Sequence, residues 1–414
     1  MGKAPVRNRC LLAALIHHRR GSSLSRDQRR VLDSVLAWWK DGQSQHITIG
    51  GYAGTGKTTL IGAIKNAIAA ERPETATAFC CFTGKASRVL REKLREAKAI
   101  ERHDTCGTIH SLIYIPVLDA RQRIAGWDLV DTIPHELVFV DEASMVNEEI
   151  WRDLCSFGAR IVAVGDHGQL PPIEGRFNLM EDPQLKLEKI HRQEEGNPII
   201  RLSMMAREEG RIPVGVHGPG IEKMDRELEE TEERVDGLFA GVDPDTMVLC
   251  GTNRTRVALN RRIRALLGRE GDEPVPGDRV ICLRNNYMSR MCILFNGMLG
   301  TVLELEKAGR GRKWHWYKAT IEMDGEDRPY TGNISRYQFN NPVTSRSVEG
   351  LSHAEVGDLF DMGYAVTVHK AQGSQARRVI LFEEYTPLWK GEMWNRWLYT
   401  AVTRAERELF IVGK

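Results

Sequence analysis

The sequence predicts an α/β fold with a doubly wound parallel sheet, a second α/β region and a β-rich insertion. From residue 25 to about residue 189, short apolar runs of the buried parallel-strand type alternate with apolar residues at helical spacing. The alternation starts again near residue 190 and resumes near residue 365 after an interruption. Between residues 277 and 338 the pattern is strand-like, with Gly, Asn and Asp turns between the runs.

The first α/β region begins after a loosely ordered basic arm over residues 1–24. Ser25 caps a helix that carries Val31, Leu32 and Val35 at helical spacing. A glycine-rich turn follows the first strand. The predicted strands of this region are 46–49, 76–82, 137–140 and 160–164, and its further helices are 58–70 and 85–97.

The second α/β region carries helical patterns at residues 198–207, 252–267 and 394–404, and strand patterns at residues 247–250, 378–382 and 409–412. Its segment 222–233 has seven acidic and two basic residues, which we interpret as a solvated helix face.

Length and composition are those of a soluble globular protein with more than one domain. At about 150 residues per domain, 414 residues predict two to three domains. Apolar residues make up 42% and charged residues 28%, which excludes wholesale disorder. The net charge of +2 neither supports nor excludes a nucleic-acid partner, because binding depends on local basic patches.

Signals for membranes, secretion and zinc are weak in this sequence. No run approaches the roughly 20 apolar residues of a membrane span. The apolar run at residues 10–16 is short and is followed by basic residues, unlike a signal peptide, so we expect a cytoplasmic protein. The eight cysteines form no C-x-x-C pair, and His103 and Cys106 lack a second ligand pair nearby, so we expect buried thiols.

A phosphate-binding loop is predicted at residues 51–58, Gly-Tyr-Ala-Gly-Thr-Gly-Lys-Thr, which fit G-x-x-x-x-G-K-[ST] between a strand and a helix. In this motif the glycines let backbone N–H groups wrap the phosphates, and the helix N-terminus adds its positive end. Lys57 would reach the β- and γ-phosphates, and the Thr58 hydroxyl would ligate Mg²⁺. The sequence therefore predicts a site for ATP and Mg²⁺.

Two acids complete this predicted site. The apolar strand at residues 137–140 runs directly into Asp141 and Glu142, as a Walker B strand does. We expect Asp141 to hold Mg²⁺ and Glu142 to position or deprotonate the attacking water. A solvated strand end is the alternative, and the upstream phosphate-binding loop favours the catalytic interpretation.

Further sequence blocks occur in a characteristic order. They are residues 82–86 (Phe-Thr-Gly-Lys-Ala), 108–111 (Thr-Ile-His-Ser), 141–144 (Asp-Glu-Ala-Ser), 165–172 (Gly-Asp-His-Gly-Gln-Leu-Pro-Pro), 191–193 (His-Arg-Gln), 364–374 (Tyr-Ala-Val-Thr-Val-His-Lys-Ala-Gln-Gly-Ser) and 399–405 (Tyr-Thr-Ala-Val-Thr-Arg-Ala). Over residues 24–408 this ordered set resembles superfamily 1 DNA helicases, specifically the 5′-to-3′ branch of RecD/Dda type.

The resemblance implies two RecA-like P-loop NTPase domains, one at residues 25–189 and one at residues 190–276 and 339–414. It also implies an SH3-like β-barrel insertion at residues 277–338 and a small β-hairpin, the pin, at about residues 112–128. The chain resembles the compact, core-only form of the family, without the long N-terminal extension of the larger members.

The resemblance also assigns nucleotide contacts. Gln28 matches an adenine-reading glutamine, and Gln169 matches a residue that senses the γ-phosphate. Arg192 and Arg404 match two arginines that approach the γ-phosphate from the second domain, where a permanently charged guanidinium suits the transferring group. The full predicted ATP-binding set is Gln28, Gly51, Ala53, Gly54, Thr55, Gly56, Lys57, Thr58, Thr59, Gln169, Arg192, Gly373 and Arg404. Gln375 replaces the family's usual glutamate, which puts sugar discrimination in doubt.

Residues facing single-stranded DNA are carried over in the same way. They are Thr83, Lys85, His110, Ser111, Thr367 and His369. Either histidine taken alone is more simply a satisfied core residue. The arginine-rich helix from residue 252, with Arg261 and Arg262, is a further candidate for backbone contacts, and a solvated helix face is the alternative.

The pin would present Tyr114 or Trp127 for stacking on the first base at a fork. Packing of these aromatic residues onto their own domain is the alternative.

The function predicted from the sequence is that of an ATP- and Mg²⁺-dependent DNA helicase that moves 5′-to-3′ on single-stranded DNA and unwinds forked or tailed duplexes. Single-strand-binding or replication and recombination proteins are the expected partners, in a bacterial or phage-infected cytoplasm. A translocase that displaces bound proteins or remodels forks, with little unwinding, remains open. A nucleotide-gated binding module without turnover is disfavoured by Glu142, Arg192 and Arg404.

Overall fold

The computed structural model describes residues 24–118, 124–172, 177–188, 196–286, 292, 294–310, 313–344, 356–386 and 389–414. The helices in this part of the chain are α1 (Arg26–Asp41), α2 (Lys57–Glu71), α3 (Gly84–Glu96), α4 (Ile109–Ile113), α5 (Glu148–Ser156), α6 (Pro198–Glu208), α7 (Glu229–Ala240), α8 (Asn253–Leu266) and α9 (Glu392–Val402). A short 3₁₀ turn spans Ala143–Met145.

The first parallel sheet lies in the N-terminal part of the described chain. Its strands are β1 (His46–Gly51), β2 (Thr77–Cys81), β3 (Thr105–Thr108), β6 (Leu137–Val140), β7 (Arg160–Gly165) and β8 (Leu185–Leu187). They pair in the order β3-β2-β6-β7-β1-β8, and all pairings are parallel. Helices α1, α2 and α3 cover one face and α4 and α5 the other. Burial on both faces explains why β6 is apolar throughout.

The second parallel sheet is built from the C-terminal part of the chain. Its strands are β9 (Gly215–Gly218), β10 (Ile221–Asp225), β11 (Thr246–Cys250), β17 (Ala365–Thr367), β18 (Ala376–Phe382) and β19 (Ala405–Gly413). They pair in the order β17-β11-β18-β19-β10-β9, and only β9 runs antiparallel to its neighbour. Helices α6 and α9 pack on one face, and α7 and α8 pack on the other.

The prediction of a solvated helix over residues 222–233 was wrong for its first part. Residues 222–225 belong to β10, which lies inside the second sheet between β19 and β9. Lys223 is only 2% exposed, and its ammonium lies 2.7 Å from Glu383 Oε2. The charge is buried with a partner, as burial of a charge requires. The helical interpretation holds for α7.

An antiparallel sheet occupies the β-rich segment. Its strands are β12 (Arg279–Cys282), β13 (Leu299–Arg310), β14 (Lys313–Met323), β15 (Tyr330–Ser335) and β16 (Phe360–Met362), in the order β15-β14-β13-β12-β16. The predicted insertion boundary at residue 338 is therefore corrected, because β16 pairs with β12. Strand β16 has only three residues, Phe-Asp-Met. So short a strand carries no periodicity that indicates such a distant partner. That the sheet forms an SH3-like barrel stays a prediction.

A separate hairpin pairs β4 (Tyr114–Leu118) with β5 (Ile124–Leu129). It follows α4 directly and overlaps the segment at about residues 112–128 that is predicted to form the pin.

None of the helices in the described part of the chain is long and apolar enough to cross a membrane.

Candidate functional site

The phosphate-binding loop connects β1 to α2 at the carboxyl edge of the first sheet. Gly54 and Gly56 have φ angles of 78° and 73°, a left-handed conformation that glycine adopts without steric cost. Gly56 is the N-cap of α2, and no side chain within the described residues caps this helix. The first backbone N–H groups of α2 are therefore free of a side-chain acceptor, as an anion-binding helix end requires. Thr59 is exposed on the first turn.

Lys57 folds back onto its own loop. Its ammonium donates to the carbonyl oxygens of Gly51 at 2.8 Å and Tyr52 at 3.1 Å. It also lies 3.8 Å from the buried carboxylate of Asp166, which follows β7. These are weak partners for a lysine beside a loop built for phosphates. The ammonium can exchange the two carbonyls for the stronger charge of a polyphosphate.

Asp141 and Glu142 lie side by side at the carboxyl end of β6, which β7 separates from β1 and the phosphate-binding loop. Burial and the neighbouring charge of Glu142 raise the pKa of the Asp141 carboxyl to about 6. Glu142 has a φ of 54°, which non-glycine residues rarely adopt and which occurs often at functional sites. Its buried Oε2 has no hydrogen-bond partner among the described residues.

These two carboxylates fit a divalent cation and a water molecule. An unpartnered buried carboxylate oxygen is costly unless a ligand satisfies it. Among the described residues there is no group of three or more His, Cys, Asp or Glu side chains that could hold a metal alone. Mg²⁺ is usually bound through one or two carboxylates together with substrate phosphates, so a sparse protein ligand set is the expected arrangement.

Tyr399, on α9 of the second sheet, reaches into this site and was missed as a site residue at the sequence level. The Ala53 N–H donates to its hydroxyl oxygen at 2.8 Å, and the hydroxyl donates to Asp166 Oδ2 at 2.7 Å. One hydroxyl thus joins the phosphate-binding loop, the end of β7 and the second sheet. Its block was recognised, but nothing local shows that this tyrosine points across a cleft.

The segment Gln169–Leu170 is also held by the second sheet. The Leu170 N–H donates to Thr400 Oγ1 at 3.0 Å, and the Leu170 carbonyl accepts from Gln372 Nε2 at 2.9 Å. Arg396 donates to the Gln169 carbonyl at 3.3 Å. The Gln169 Oε1 is buried and has no hydrogen-bond partner in the described chain, although its amide nitrogen lies 3.4 Å from Asp166 Oδ2. A γ-phosphate-sensing role for Gln169 stays a prediction.

Arg404 is 3% exposed and lies near the acids of the first sheet. It donates to the carbonyls of Thr400 and Ser374 and to the Thr403 hydroxyl. Burial lowers its pKa, and the nearby carboxylates of Glu142 and Asp166 oppose that effect. Arg192, the other predicted γ-phosphate arginine, lies outside the described residues.

A second cation, Arg207 of α6, lies over the phosphate-binding loop. Its guanidinium carbon is 3.7 Å from the centre of the Tyr52 ring, a close cation–π contact. The same ring lies 4.1 Å from the ring centre of His167. The sequence carries no motif for Arg207, because its role depends on how α6 packs.

Gln28 contacts the phosphate-binding loop rather than facing open space. Its amide nitrogen donates to the carbonyls of Thr55 at 3.0 Å and Gly56 at 3.4 Å, and its Oε1 accepts from the Ser25 N–H at 2.9 Å. The side chain is 1% exposed. Both ends of the amide are thus used inside the chain, and the contact with adenine stays a prediction.

Gly373 belongs to a junction between the two parallel sheets. It has a φ of 71°, and a Cβ at this position would lie 3.2 Å from Thr83 Oγ1. The structure thus groups Gly373, predicted to bind ATP, with Thr83, predicted to face DNA. Thr83 is the N-cap of α3, and its hydroxyl accepts from the Ala86 N–H.

His110 and Ser111 follow β3, the edge strand beside β2. Ser111 forms a capping box with Thr108 at the start of α4. His110 is half-buried between Phe82 and Tyr114, with ring centres 6.0 and 5.5 Å apart, and burial lowers its pKa. These residues lie beside Thr83, since β3 and β2 are neighbours with parallel carboxyl ends.

Lys85 faces the antiparallel sheet more than it faces open solvent. It lines a crevice of 680 Å³ together with Asp324 of that sheet and Arg377 of the second sheet. Burial lowers the pKa of Lys85, and the carboxylate of Asp324 opposes this effect. Its contact with DNA stays a prediction. In the structure, the Lys85 side chain lines a crevice between the three sheets.

Thr367 ends β17 at the carboxyl edge of the second sheet, and His369 follows two residues later. Thr367 is 8% exposed, and His369 is half-buried with its pKa lowered by burial. Arg261 and Arg262 are not brought to this edge. Helix α8 starts there and runs away from it, so Arg261 lies roughly 12 Å farther along the axis than the first helical residue, Asn253.

The arginines of α8 divide into buried and surface groups. Arg256 and Arg264 are buried in ion pairs with Asp361 and Asp278, which corrects the interpretation of the whole helix as a DNA-binding face. Arg261 lies 3.3 Å from Asp272, and Arg262 lies 2.7 Å from Asp236. The structure therefore favours the solvated-face alternative for Arg261 and Arg262, and their contact with DNA stays a prediction.

The two pin candidates, Tyr114 and Trp127, have different surroundings in the hairpin. The Tyr114 hydroxyl donates to Asp153 Oδ2 of α5 at 2.6 Å, so this ring packs the hairpin onto its own sheet. Trp127 on β5 is 39% exposed. Of the two residues, Trp127 is the one positioned to meet a base, and the wedge role itself stays a prediction.

Two family comparisons match the two ends of the chain. The family described as an AAA domain matches residues 23–219, which include the first sheet and α6. The family described as a UvrD-like helicase C-terminal domain matches residues 362–412, which include β17, β18 and α9. The Tyr399 bridge joins these two matched segments.

Relatives with known names match along almost the whole chain. The ATP-dependent RecD2 DNA helicase of Deinococcus radiodurans is 29% identical over 94% of this chain, which spans about half (49%) of that protein. The ATP-dependent DNA helicase dda of Enterobacteria phage T4 is 24% identical, and the match covers 94% of this chain and 99% of that protein. A solved Pif1 helicase from Bacteroides, in complex with ADP-AlF3 and ssDNA, has a TM-score of 0.52 at 17% identity, covering 94% and 92% of the two chains. At that identity the likeness concerns the fold.

Proposed function

We propose that this chain, which belongs to the RecD- and Dda-like branch of the superfamily 1 helicases, uses ATP hydrolysis to move 5′-to-3′ along single-stranded DNA and to open duplex DNA. The observation that carries the proposal is the shared cleft. The phosphate-binding loop of the first sheet contacts Tyr399 of the second sheet directly. A movement of the loop would therefore be transmitted to the second sheet through this hydrogen bond.

The nucleotide would bind between the two parallel sheets. Lys57 and the open N-terminus of α2 would receive the phosphates, and Thr58 and Asp141 would hold Mg²⁺. When bound, Mg²⁺ neutralises phosphate charge and polarises the γ-phosphoryl group. Glu142, with its unpartnered buried oxygen, would orient and deprotonate the attacking water. Arg404 would stabilise the charge that develops on the transferred group.

Coupling to movement follows from the same contacts. Hydrolysis and release of phosphate remove the charge that draws Lys57 and Arg404 together, so the cleft can open. The Gln169–Leu170 segment, hydrogen-bonded to Thr400 and Gln372, would transmit this change between the sheets. Opening and closing a cleft between two rigid sheets is a hinge motion of the kind that motor proteins use.

The DNA track would follow the adjoining carboxyl edges of both sheets. Ser111 and Thr83 lie at the first edge, Thr367 and His369 lie at the second, and Gly373 contacts Thr83 where the two edges meet. Hydroxyl groups suit phosphate contacts, which carry no base-sequence information. The DNA-bound state of the Pif1 structure, which shares the fold, supports the choice of substrate.

The direction of movement rests on the family branch and has a direct test. Oligonucleotides carrying biotin at one end and blocked with streptavidin report which end a motor reaches. A 5′-to-3′ motor should displace streptavidin from the 3′ end in the presence of ATP and Mg²⁺, at least tenfold faster than from the 5′ end. Displacement from the 5′ end alone would reverse the polarity. Absence of ATP hydrolysis stimulated by single-stranded DNA would overturn the motor itself.

A further inference from the structure

The carboxyl edge of the second sheet carries a row of aromatic rings. Trp397 is fully buried and stacks on Trp389, with ring centres 5.5 Å apart and planes 22° apart. Trp394 also stacks on Trp397, with ring centres 5.1 Å apart and planes 13° apart. Trp389 also lies 5.8 Å from His369, and the 60% exposed Tyr385 meets Trp394 edge-on at 5.3 Å. The row is thus held by a buried ring and ends in half-buried and exposed ones.

Strand order places this row on the proposed DNA track. Strands β17, β11 and β18 are neighbours and parallel, so the residues that follow them meet at one edge. His369 follows β17, Gly251 follows β11, and Trp389 follows β18. A Cβ on Gly251 would lie 2.8 Å from the Trp389 ring, so the ring rests directly on this backbone.

The negative charge of Glu384, next to the row, disfavours a phosphate at the start of α8. The Glu384 carboxylate accepts from the N–H groups of Gly251 at 2.6 Å and Thr252 at 2.9 Å. It also accepts from the hydroxyls of Thr252 and Thr255. The start of α8, which would otherwise attract an anion, is therefore filled by the chain's own carboxylate. A phosphate placed there would meet a like charge.

We propose that Trp389, with His369 beside it, is a base-stacking platform for single-stranded DNA at the carboxyl edge of the second sheet. The proposal rests on the proposed function, because it takes the strand to cross this edge. Because the Glu384 carboxylate repels phosphates, the strand turns its bases toward Trp389. This rigid ring offers an aromatic face that every base can stack on. Because Trp389 is held by Trp397 before the strand arrives, little ordering is needed on binding.

The test compares two probes of equal length: oligodeoxythymidylate and an abasic sugar-phosphate oligomer. Dissociation constants are measured with the full chain at one fixed salt concentration, because phosphate contacts depend strongly on salt. The unmodified protein should bind the thymidylate probe more tightly. Trp389→Ala should weaken thymidylate binding by about five- to a hundredfold and leave abasic binding within about twofold. Trp389→Phe should retain most of the preference.

A matched control removes a half-buried tryptophan elsewhere. Trp39, at the end of α1, packs against Trp38 and near Arg160 at the opposite edge of the first sheet. Trp39→Ala should leave the ratio of the two dissociation constants unchanged. If circular dichroism shows that Trp389→Ala does not fold, Trp389→Leu keeps the apolar packing without the aromatic face and should lose the preference.

The outcomes separate the two proposals. Equal affinity of the unmodified protein for both probes, or an unchanged preference in the folded Trp389 variants, overturns the platform and leaves the motor standing. Failure of the unmodified protein to bind either probe overturns the proposed function itself.

Discussion

Two helix starts at the sheet edges of this protein carry the same positive end but are used differently. Helix α2 begins at Gly56 without a side-chain cap and without an acid in its first turn. Helix α8 begins after Thr252, whose side chain caps it, and the Glu384 carboxylate accepts from the N–H groups of Gly251 and Thr252. The comparison teaches that a helix dipole alone does not make an anion site. What decides is whether the chain fills the helix end from within.

The two edges therefore meet their ligands through different chemistry. The first edge presents open backbone N–H groups, a lysine and two carboxylates, which suits a nucleotide and its metal. The second edge presents a neutralised helix start and aromatic rings, which suits bases. Four predictions test this division, in decreasing order of expected effect.

Lys57→Ala should abolish ATP hydrolysis at the first edge. The lysine is the only cationic side chain in the loop over residues 51–58, and its loss leaves the β- and γ-phosphates without a cation. DNA-stimulated phosphate release should fall by at least about 10³-fold with an unchanged circular dichroism spectrum. Lys40→Ala, at an exposed lysine of α1, should hydrolyse ATP normally. Near-normal turnover by a folded Lys57→Ala protein would refute the nucleotide site.

Glu142→Gln should separate binding from chemistry. The amide keeps the size of the side chain but cannot take a proton, so hydrolysis should slow by about 10²–10⁴-fold while Mg·ATP still binds. Asp141→Asn should instead weaken Mg²⁺-dependent binding. Equilibrium binding of a fluorescent ATP analogue and single-turnover hydrolysis give the two quantities. Glu148→Gln, at an exposed position of α5, serves as the control, and full-speed hydrolysis by Glu142→Gln would assign the base to another residue.

Tyr399→Phe should loosen the link between the edges. The substitution removes only the hydroxyl that joins the Ala53 N–H to Asp166. Because a hydrogen bond to a charged group is lost, stimulation of ATP hydrolysis by DNA should fall about tenfold, more than the DNA-independent rate falls. Tyr364→Phe removes a similar tyrosine–aspartate bond between the second sheet and the antiparallel sheet and should keep the stimulation. An equal effect of both variants would reduce Tyr399 to a packing residue.

Glu384→Gln should make the second edge more like the first. Removing the negative charge at the start of α8 lets phosphate approach, so the abasic oligomer should bind about two- to fivefold more tightly. The thymidylate-to-abasic preference should shrink accordingly. Glu227→Gln changes a surface acid that pairs with Lys414 and should alter neither value. Unchanged abasic binding by Glu384→Gln would mean that Glu384 does not keep phosphates away.

The parts of this protein that could be predicted from sequence depend on short-range chemistry. The loop at residues 51–58 and the acids Asp141 and Glu142 each lie beside the element that positions them, so pattern and position coincide. The alternation of strands and helices predicted the parallel sheets for the same reason. The order of the motif blocks added the family.

What escaped prediction is non-local. Strand β16 joins β12 across many residues, and Lys223 is buried only because Glu383 lies beside it in the folded chain. Tyr399 and Trp389 gain their places from packing between elements that are distant in sequence. No residue near either of them in the chain indicates what its side chain contacts.

The central claim, an ATP-driven motor of defined direction on DNA, is tested most directly by unwinding of tailed duplexes. Two substrates share one duplex and differ only in whether the single-stranded tail is 5′ or 3′. With ATP and Mg²⁺, the account predicts that the 5′-tailed duplex opens at least tenfold faster, and that Lys57→Ala opens neither. Efficient opening of the 3′-tailed duplex alone would contradict the proposed direction, and opening without ATP would contradict the motor.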